Sequence, residues 1–471
     1  MAKRPPKLDV SYLDSGDPVS PVGVRYTTPI ARIFGESSYI QAILDVEAQN
    51  VSVISEMYPS KIPRSAARKI RSIADTRHVA PRDIRHTEAL ATHHEMGAVI
   101  AEMSRRAGKD GKYIHFAMTS ADAVETARAM QLSAALEALA ATVAGTRDTL
   151  LKVAVRWKGI AAIMRTHGQQ AIPSSFGMPF AFFGYCLHRN LERLRFDMER
   201  CAEGKLSGAI GTYDVHTSEG IDGREVERRV LGRLKVRPAE ATMQTPPREG
   251  IAYIVSDLAV LCGRLESIAE YIKTLKRTEI LEMKEEPDEG MVGSSAMPHK
   301  NLYGNPFIEE RCVSIARTVR GHALSALESL QQEDFRDLTA SLSDRISIPE
   351  SFILSDYSCR LIRNVVERSA PVPENIGRNL RSGNGAVASQ LLMSRLVKKG
   401  VSREEARRLA LRSARAAQGT AAGYIGALLA DPDVSALLGR REIEQLADPQ
   451  SSMGRSKEIV ERIARKYMGR P

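Results

Sequence analysis

Residues 251–283 read IAYIVSDLAVLCGRLESIAEYIKTLKRTEILEM. Apolar residues recur there at helical spacing, at Ile251, Ile254, Val255, Leu258, Leu261, Leu265, Ile268, Ile272 and Leu275. This period predicts one amphipathic helix. At 1.5 Å per residue such a helix would span roughly 50 Å, more than the diameter of one domain. Its apolar stripe must be covered along its whole length, which indicates a bundle of long helices.

A second long element is predicted over Ala123–Ala162, which is nearly free of Gly and Pro and reads as one very long helix or two. Aromatic residues make up only 5% of the 471-residue chain, which favours helix over sheet. The predicted fold class is therefore all-α. Because one monomer rarely covers helices of this length, we expect subunits to bundle together.

The composition excludes several classes of protein. The net charge of +10 is dispersed along helices, as in Arg403–Arg415, and no basic block is interleaved with aromatics, so we expect no nucleic-acid partner. No apolar run reaches the ~20 residues that cross a bilayer, so we expect no membrane partner. The five cysteines are odd in number and form no C-x-x-C pair, which argues against a disulfide framework and against a structural zinc site. Cysteines that are not paired favour a reducing compartment, so we expect a cytoplasmic location. Residues 1–20 are predicted to be a disordered basic arm.

An unusual octapeptide, Gly-Ser-Ser-Ala-Met-Pro-His-Lys, occupies residues 293–300 and follows the acidic stretch Lys284–Gly290. This composition predicts a mobile loop over 284–306. Such a loop could present Ser294 as a nucleophile or base, while backbone N–H groups and Lys300 receive developing negative charge. By composition alone, the segment could also be an ordinary Gly/Ser/Pro connection.

Two segments upstream of the loop carry hydroxyl, carboxyl and imidazole groups. His93-His94-Glu95 lies in a helical stretch and could be a ligand-positioning group or a solvated His pair. Thr119–Asp122 precedes the long helix, where it suits an N-cap. A helix N-terminus also binds carboxylates, so the two roles are compatible.

Two more segments concentrate cations with polar groups. Arg165–Gln169 is predicted to end a helix and enter a Pro/Gly-rich bend, and polar neighbours make His167 an unsuitable core residue. Arg336, Ser341 and Arg345 place two guanidinium groups and a hydroxyl within ten residues, a set that suits a phosphate. Taken alone, this last segment could be a salt-bridged turn.

The octapeptide resembles the signature loop of the fumarase/aspartase superfamily, Gly-Ser-Ser-X-Met-Pro-X-Lys. The other segments follow that superfamily's motif regions in order, and the closest resemblance is to the adenylosuccinate lyase family, from Arg25-Tyr26 to about Ala417. Lys205–Tyr213 and Gln244-Thr245 are similar to further family segments. The resemblance implies a three-domain fold with a central long-helix bundle that packs into a tetrameric core. The implied domains are 21–119, 120–370 and 371–471.

The family's activity is β-elimination of fumarate from adenylosuccinate, giving AMP, and from succinylaminoimidazole carboxamide ribotide in purine biosynthesis. By resemblance, Ser294 is the base and His167 the acid. The full implied catalytic set is Ser294, His167, Lys300, His94 and Glu310. The implied substrate-binding set is Arg25, Tyr26, Glu95, Thr119, Ser120, Asp122, Thr166, Gln244, Arg248, Ser295, Met297, Asn305, Arg311, Arg336, Ser341 and Arg345. The resemblance implies no metal or organic cofactor, and a homotetramer with composite active sites.

The chain departs from the family pattern after Lys300, where Arg-Asn-Pro is usual and this sequence has Asn-Leu-Tyr-Gly-Asn-Pro over 301–306, three residues longer. Either Asn301 or Asn305 could be the substrate-binding Asn; we choose Asn305 because Pro306 and Glu310 then keep the family spacing. Glu95 and Glu249 also stand where Asp is commoner. Two alternatives follow: another superfamily lyase or cycloisomerase, such as a carboxymuconate cycloisomerase, or a helical scaffold or RNA-binding protein without catalysis.

Overall fold

The computed structural model describes residues 20–286, 293–383, 385–418, 420, 422–446, 448 and 452–470. Helices dominate this part of the chain, which confirms the all-α prediction. The helices are α1 Glu36–Met57, α2 Arg64–Ile73, α3 Pro81–Thr87, α4 Glu95–Ala107, α5 Ser120–Trp157, α6 Met178–Arg200, α7 Asp214–Ser218, α8 Gly223–Leu234, α9 Glu249–Leu275, α10 Phe307–Glu328, α11 Ser341–Arg368, α12 Pro373–Arg381, α13 Ser389–Lys398, α14 Arg403–Ala416, α15 Gly423–Ala430, α16 Pro432–Ser435, α17 Arg440–Leu446 and α18 Ser456–Tyr467. The strands are β1 Ala161–Thr166, β2 Gln169–Ser175, β3 Glu203–Gly204, β4 Arg237–Pro238, β5 Met283–Glu285 and β6 Ser369–Pro371.

The two longest predicted helices are present as single elements. Helix α5 has 38 residues and begins at Ser120, three residues before the predicted Ala123, directly after the capping candidate Thr119. It ends at Trp157, five residues before the predicted Ala162, because residues 161–166 form β1. Helix α9 begins at Glu249 but ends at Leu275, eight residues before the predicted end at Met283. A helix could not reach Met283, because Leu281 has a left-handed φ of 42° and Met283 belongs to β5, which pairs with β6.

The prediction that Arg165–Gln169 ends a helix is wrong. Strands β1 and β2 form an antiparallel hairpin, and its turn consists of His167 and Gly168. Their φ angles are 54° and 72°, and positive φ at both central residues is what a type I′ turn requires. The remaining strands form two short sheets, with β3 parallel to β4 and β5 antiparallel to β6.

The chain forms two compact units, each made of three separate stretches of sequence. Unit 1 comprises residues up to 143 with 190–263 and 315–358. Its core joins buried side chains of α1, α2, α4, α8 and the start of α5, among them Ile43, Ile54, Ile70 and Val99. The three-domain division 21–119, 120–370 and 371–471 follows chain order instead, and stays a prediction.

Unit 2 comprises residues 144–189, 264–314 and 359–471. Aromatic side chains meet where α5 ends and α6 begins, with the ring centroids of Trp157 and Phe180 5.0 Å apart. A further apolar cluster joins α13, α14 and α15 through Leu396, Leu409 and Tyr424.

Two predictions concern the chain's relation to membranes and its N-terminus. Among the described residues, no helix combines the length and apolarity that crossing a membrane requires. The predicted basic arm, residues 1–20, lies outside the described residues except for Ser20.

Candidate active site

In unit 1, Arg345 on α11 is bound by Glu95, the first residue of α4. The guanidinium donates from Nη2 to Oε2 at 2.8 Å and from Nη1 to Oε1 at 3.3 Å. Tyr39 on α1 donates its hydroxyl to the same Oε2 at 3.3 Å, and the guanidinium lies 5.8 Å from the centre of its ring. Burial, followed by the charge of Glu95, raises the pKa of Tyr39. Two groups therefore fix the orientation of Arg345, which remains about half exposed.

Four further predicted residues lie on the elements next to Arg345. Ser341 begins α11 and is one helical turn before Arg345, so the two share a face. Arg336 donates from Nε to Oε1 of Gln244 at 3.1 Å. Arg248 is buried and donates to Asp344 at 2.7 Å, which gives this predicted substrate ligand a structural partner.

A cavity of about 360 Å³ lies in this region of unit 1. Arg345, Glu95 and Tyr39 line it together with Arg128 and Gln131 from α5. Arg128 donates to Glu125 at 2.8 Å and is 3.2 Å from Asp344. Tyr39, Arg128 and Gln131 were not predicted from the sequence. Their signal is weak, since a polar residue on an otherwise apolar helix face is as often part of a structural ion pair.

His94 occupies the N-cap of α4. Its Nδ1 accepts a hydrogen bond from Gly97 N at 3.0 Å. Because Nδ1 is an acceptor here, the neutral ring carries its proton on Nε2. The hydrogen bond from Gly97 thus fixes the tautomer of His94 and leaves its Nε2–H as a donor for another group.

The start of α5 holds Thr119 and Ser120 half-buried at the helix N-terminus. Asp122 Oδ2 accepts from Thr119 N at 2.8 Å, and Asp122 N donates to Thr119 O at 2.9 Å, so the two residues hold the first turn together. Its Oδ1 pairs with Lys205 Nζ at 2.5 Å, and neither side chain is exposed. Asp122 was predicted to bind substrate, and this stays a prediction; its contacts also hold the start of α5.

Arg25 and Tyr26 precede α1 in unit 1. The Arg25 guanidinium lies 6.0 Å from the centre of the Tyr26 ring, and that ring meets Tyr357 of α11 edge-on at 5.8 Å. The aromatic contact holds the pair against the helix that carries Ser341 and Arg345.

In unit 2, the octapeptide folds back on Ser294. Ser294 Oγ accepts from Met297 N at 3.2 Å, and Ser294 N donates to Asn301 Oδ1 at 2.8 Å. Ser295, Met297 and Lys300 are exposed, whereas Ser294 is half-buried. Within the predicted loop 284–306, residues 287–292 lie outside the described residues. Residues 284–285 belong to β5, which corrects the loop's predicted start.

A buried charge cluster that was not predicted from the sequence lies beside this loop. Lys276 Nζ is 2.5 Å from Glu285 and 2.6 Å from Glu309, and all three side chains are buried. Burial raises the pKa of Glu309, while the neighbouring ammonium opposes that rise. Glu310, the predicted catalytic carboxylate, is the next residue on α10 and is exposed. Arg311, predicted to bind substrate, lies 6.0 Å over the Phe307 ring.

The hairpin of unit 2 carries Thr166 and His167 at its exposed tip. Next to this tip, where Arg165 pairs with Gln170 across the hairpin, Arg165 forms a two-pronged pair with Glu282 at 3.0 and 2.6 Å. Asn379 donates to the same Glu282 at 2.9 Å. The hairpin is thereby anchored directly beside β5, the strand that leads into the Ser294 loop.

The predicted residues thus fall into two groups. Unit 1 brings together Arg345, Glu95 and Tyr39 around a cavity, with the α5 start and the other unit 1 ligands on neighbouring elements. Unit 2 carries the hydroxyl, imidazole and ammonium groups on a loop and a hairpin tip. A guanidinium, a helix N-terminus and N–H donors suit an anionic ligand, and the second group suits proton transfer.

Comparison with known proteins gives consistent matches. The model of a family described as "Lyase" matches residues 31–321, and that of "Adenylosuccinate lyase C-terminus" matches residues 385–463. The chain is 34% identical to the adenylosuccinate lyase of Methanothermobacter thermautotrophicus over 94% of this chain and 98% of that protein. It is also 34% identical to the adenylosuccinate lyase of Synechocystis sp., over 93% and 99% respectively.

Two solved structures share the fold. The 3-carboxy-cis,cis-muconate lactonizing enzyme of Pseudomonas putida matches with a TM-score of 0.82 and 24% identity, covering 94% of this chain and 97% of that one. The fumarate lyase of Mesorhizobium sp. BNC1 matches with a TM-score of 0.83 and 23% identity, covering 94% and 99%. At these identities the likeness concerns the fold.

Proposed function

Because the chain belongs to the adenylosuccinate lyase family, we propose that it cleaves adenylosuccinate to AMP and fumarate, and succinylaminoimidazole carboxamide ribotide to its amide and fumarate. The observation that supports this most is the 34% identity to adenylosuccinate lyases along 94% of the chain. The alternative of a scaffold without catalysis is disfavoured, since a scaffold needs neither Ser294, Lys300 nor His167. The five cysteines, none in a disulfide, suit the reducing cytoplasm that we propose as the location.

The reaction begins with removal of a weakly acidic C–H next to a carboxylate, and Ser294 is the proposed base. A serine hydroxyl is a weak base unless its alkoxide is stabilised. The Met297 N–H, 3.2 Å from Oγ, supplies one such donor, and the ammonium of Lys300 lies on the same loop. The intermediate carries two negative charges on one carboxylate. Lys300, Asn305 and the Thr119-Ser120 helix start are proposed to bind it more tightly than the substrate.

The departing nitrogen needs a proton, and His167 is the proposed acid. Its place at the tip of a two-residue turn gives the imidazole a fixed backbone and an exposed ring. Thr166, adjacent in β1, is proposed to contact the same part of the substrate. The Arg165–Glu282 pair would keep the tip in place while the proton is transferred.

The phosphate is proposed to bind Arg336, Ser341 and Arg345, because two guanidinium groups and a hydroxyl suit a phosphate dianion. His94 is proposed to donate its Nε2–H to the ligand, and Glu95 to hold Arg345. The remaining proposed ligands are Arg25, Tyr26, Gln244, Arg248, Ser295, Met297 and Arg311. Asp122 is proposed to act through the helix start.

We further propose a homotetramer with composite active sites. Helices α6, α9 and α10 expose large apolar side chains in unit 1, with Val260 63% and Leu324 60% exposed. A second copy would cover them. Mixing Ser294→Ala subunits with subunits altered at His167 should then restore partial activity, because some sites escape both changes. A fully active monomer by light scattering would contradict the proposal.

The deciding experiment adds adenylosuccinate to the purified chain and follows the loss of its absorbance, with fumarate identified as the product. Ser294→Ala should abolish turnover while AMP still binds, because the base acts only in the chemical step. Leu302→Ala, at an exposed residue of the same loop that belongs to neither proposed set, is the matched control and should retain wild-type activity. If the wild-type chain leaves adenylosuccinate intact but converts a muconate, the cycloisomerase alternative replaces this proposal.

A further inference from the structure

Asn301 brackets the backbone of Ser294 from both sides. Its Oδ1 accepts from Ser294 N at 2.8 Å, and its Nδ2 donates to Ser294 O at 3.2 Å. The one side chain therefore satisfies both backbone polar groups of the proposed base. A residue held by a donor and an acceptor at once has little freedom to rotate about its own φ and ψ.

The packing around this bracket is close. A Cβ built on Gly293 would lie 2.6 Å from Asn301 Oδ1 and 3.3 Å from Asn305 Cβ, so a side chain at position 293 would displace the Asn301 amide. The Gly of the octapeptide thus provides the space that the amide fills. Asn301 is also the last residue of a short 3₁₀ turn, Pro298–Asn301.

The same segment is fastened to the buried charge cluster. Gly304 has a φ of 82°, and a Cβ there would lie 2.6 Å from the Cβ of Glu285, so only glycine fits without a shift. Tyr303 O accepts from Glu285 N at 3.1 Å. Glu285 is in turn bound to Lys276. The contacts run from Ser294 through residues 301–304 into the core of unit 2.

We propose that Asn301 is a positioning residue for Ser294, and that the longer segment 301–304, where this chain departs from the family pattern, carries it. The inference rests on the proposed function for the role of Ser294. Asn301 acts by holding the Ser294 backbone, so that Oγ stays within reach of the Met297 N–H. That donor is the group that stabilises a serine alkoxide.

This role separates Asn301 from Asn305. Asn301 was the other candidate for the family's substrate-binding amide, yet its oxygen and nitrogen are both engaged with Ser294. A positioning role predicts an effect on kcat, since Ser294 acts in the chemical step, whereas a ligand role predicts an effect on KM.

The test compares Asn301→Ala, Asn301→Asp and the control Leu302→Ala in the full-length protein. Leu302 is exposed and lies in the same segment. Asn301→Ala should lower kcat by about 10²-fold, the loss expected for a misplaced catalytic group, with KM nearly unchanged. Asn301→Asp keeps the oxygen that accepts from Ser294 N and should retain an intermediate kcat. Leu302→Ala should behave like wild type.

Hydrogen exchange of the Ser294 amide gives a readout that does not depend on the substrate. Asn301→Ala should speed its exchange while Leu302→Ala leaves it unchanged. A raised KM at wild-type kcat, or wild-type exchange in Asn301→Ala, would overturn the positioning role. If the wild-type chain does not cleave adenylosuccinate but exchange still responds to Asn301→Ala, the proposed function fails while the bracket stands. Should Asn301→Ala not fold, Asn301→Asp decides by the same two measurements.

Discussion

Asp122 and Lys205 form a buried ion pair, with Lys205 Nζ 2.5 Å from Asp122 Oδ1. Both side chains are fully shielded from solvent. Lys205 Nζ also donates to Gly208 O at 2.8 Å, and Gly208 N donates to Asp122 Oδ1 at 3.3 Å. The pair therefore joins the start of α5 to the segment that follows β3. Thr126 reinforces the join, since its hydroxyl donates to Lys205 O at 2.8 Å.

Lys205→Met should destabilise the protein by about 3–5 kcal/mol, because it leaves the Asp122 carboxylate buried without its partner. Denaturant midpoints measure the change. The matched control is Lys61→Met, which breaks an exposed pair with Glu219 and should cost less than about 1 kcal/mol. The double variant Lys205→Met/Asp122→Asn should recover part of the loss. Equal effects of Lys205→Met and Lys61→Met would contradict this account.

The protein should lose stability in acid because of His216. Its side chain is fully buried, and its two ring nitrogens have no hydrogen-bond partner among the residues that the structure describes. Burial lowers the pKa of His216 from 6.5, although Asp122 and Asp214 oppose the shift. The unfolded chain thus binds the proton first. The stability that the neutral His216 contributes is fully present above pH 6.5, and it is lost as the pH falls toward the pKa of His216 in the folded protein. In His216→Phe, which keeps a ring beside Tyr213, the unfolding free energy should depend less on pH across this window than in the wild type.

Arg345→Lys should raise KM and weaken AMP as a product inhibitor, while inhibition by fumarate stays nearly unchanged. An ammonium cannot reproduce a two-pronged contact with phosphate, and the lost charge-assisted bond is on the order of 1.5–3 kcal/mol. Arg363→Lys serves as the control, because Arg363 is a similarly exposed arginine paired with Glu367. Equal weakening of AMP and fumarate would show that the phosphate binds elsewhere.

His167→Asn should stop cleavage without disturbing the hairpin. Asn tolerates a positive φ better than most residues, and Asn-Gly is a preferred type I′ pair, so the turn at φ 54° is preserved. The acid is lost, and the pH profile of kcat should lose the limb that it causes. His78→Asn, at an exposed histidine, is the control. A wild-type profile in His167→Asn would transfer the acid role to His94.

The sequence predicted the long helices well because their evidence is local. The stripe from Ile251 to Leu275 repeats at the helical period, and the Thr-Ser-x-Asp signal marks the residue where α5 begins. The hairpin was missed for an equally local reason. Ala161–Met164 is a short apolar run directly after a long helix, and such a run is ambiguous between helix and strand. The left-handed φ of His167, which forms the turn between β1 and β2, distinguishes the hairpin from a helix, and the sequence does not reveal it.

Contacts distant in sequence were beyond prediction. Tyr39 and Glu95 are 56 residues apart, and Asp122 and Lys205 are 83 apart, so no periodic pattern connects them. The resemblance identified Glu95, Asp122 and Arg345 as ligands without indicating that each has a protein partner. Asn301 was one of two candidates from spacing alone, and its bracket on Ser294 depends on a fold-back that spacing does not specify.

The interleaving of the two units constrains how the chain folds as it is made. Unit 1 draws on residues 315–358, so its last stretch leaves the ribosome only after most of the protein has been synthesised. Until then, side chains of its earlier helices lack the residues that they contact in the folded protein. One example is Cys262 on α9, whose Sγ lies 3.2 Å from Ser355 Oγ on α11. Delayed closure of this kind prolongs the exposure of apolar surface. Because each unit is built of three separate stretches of sequence, neither could be produced as one continuous fragment.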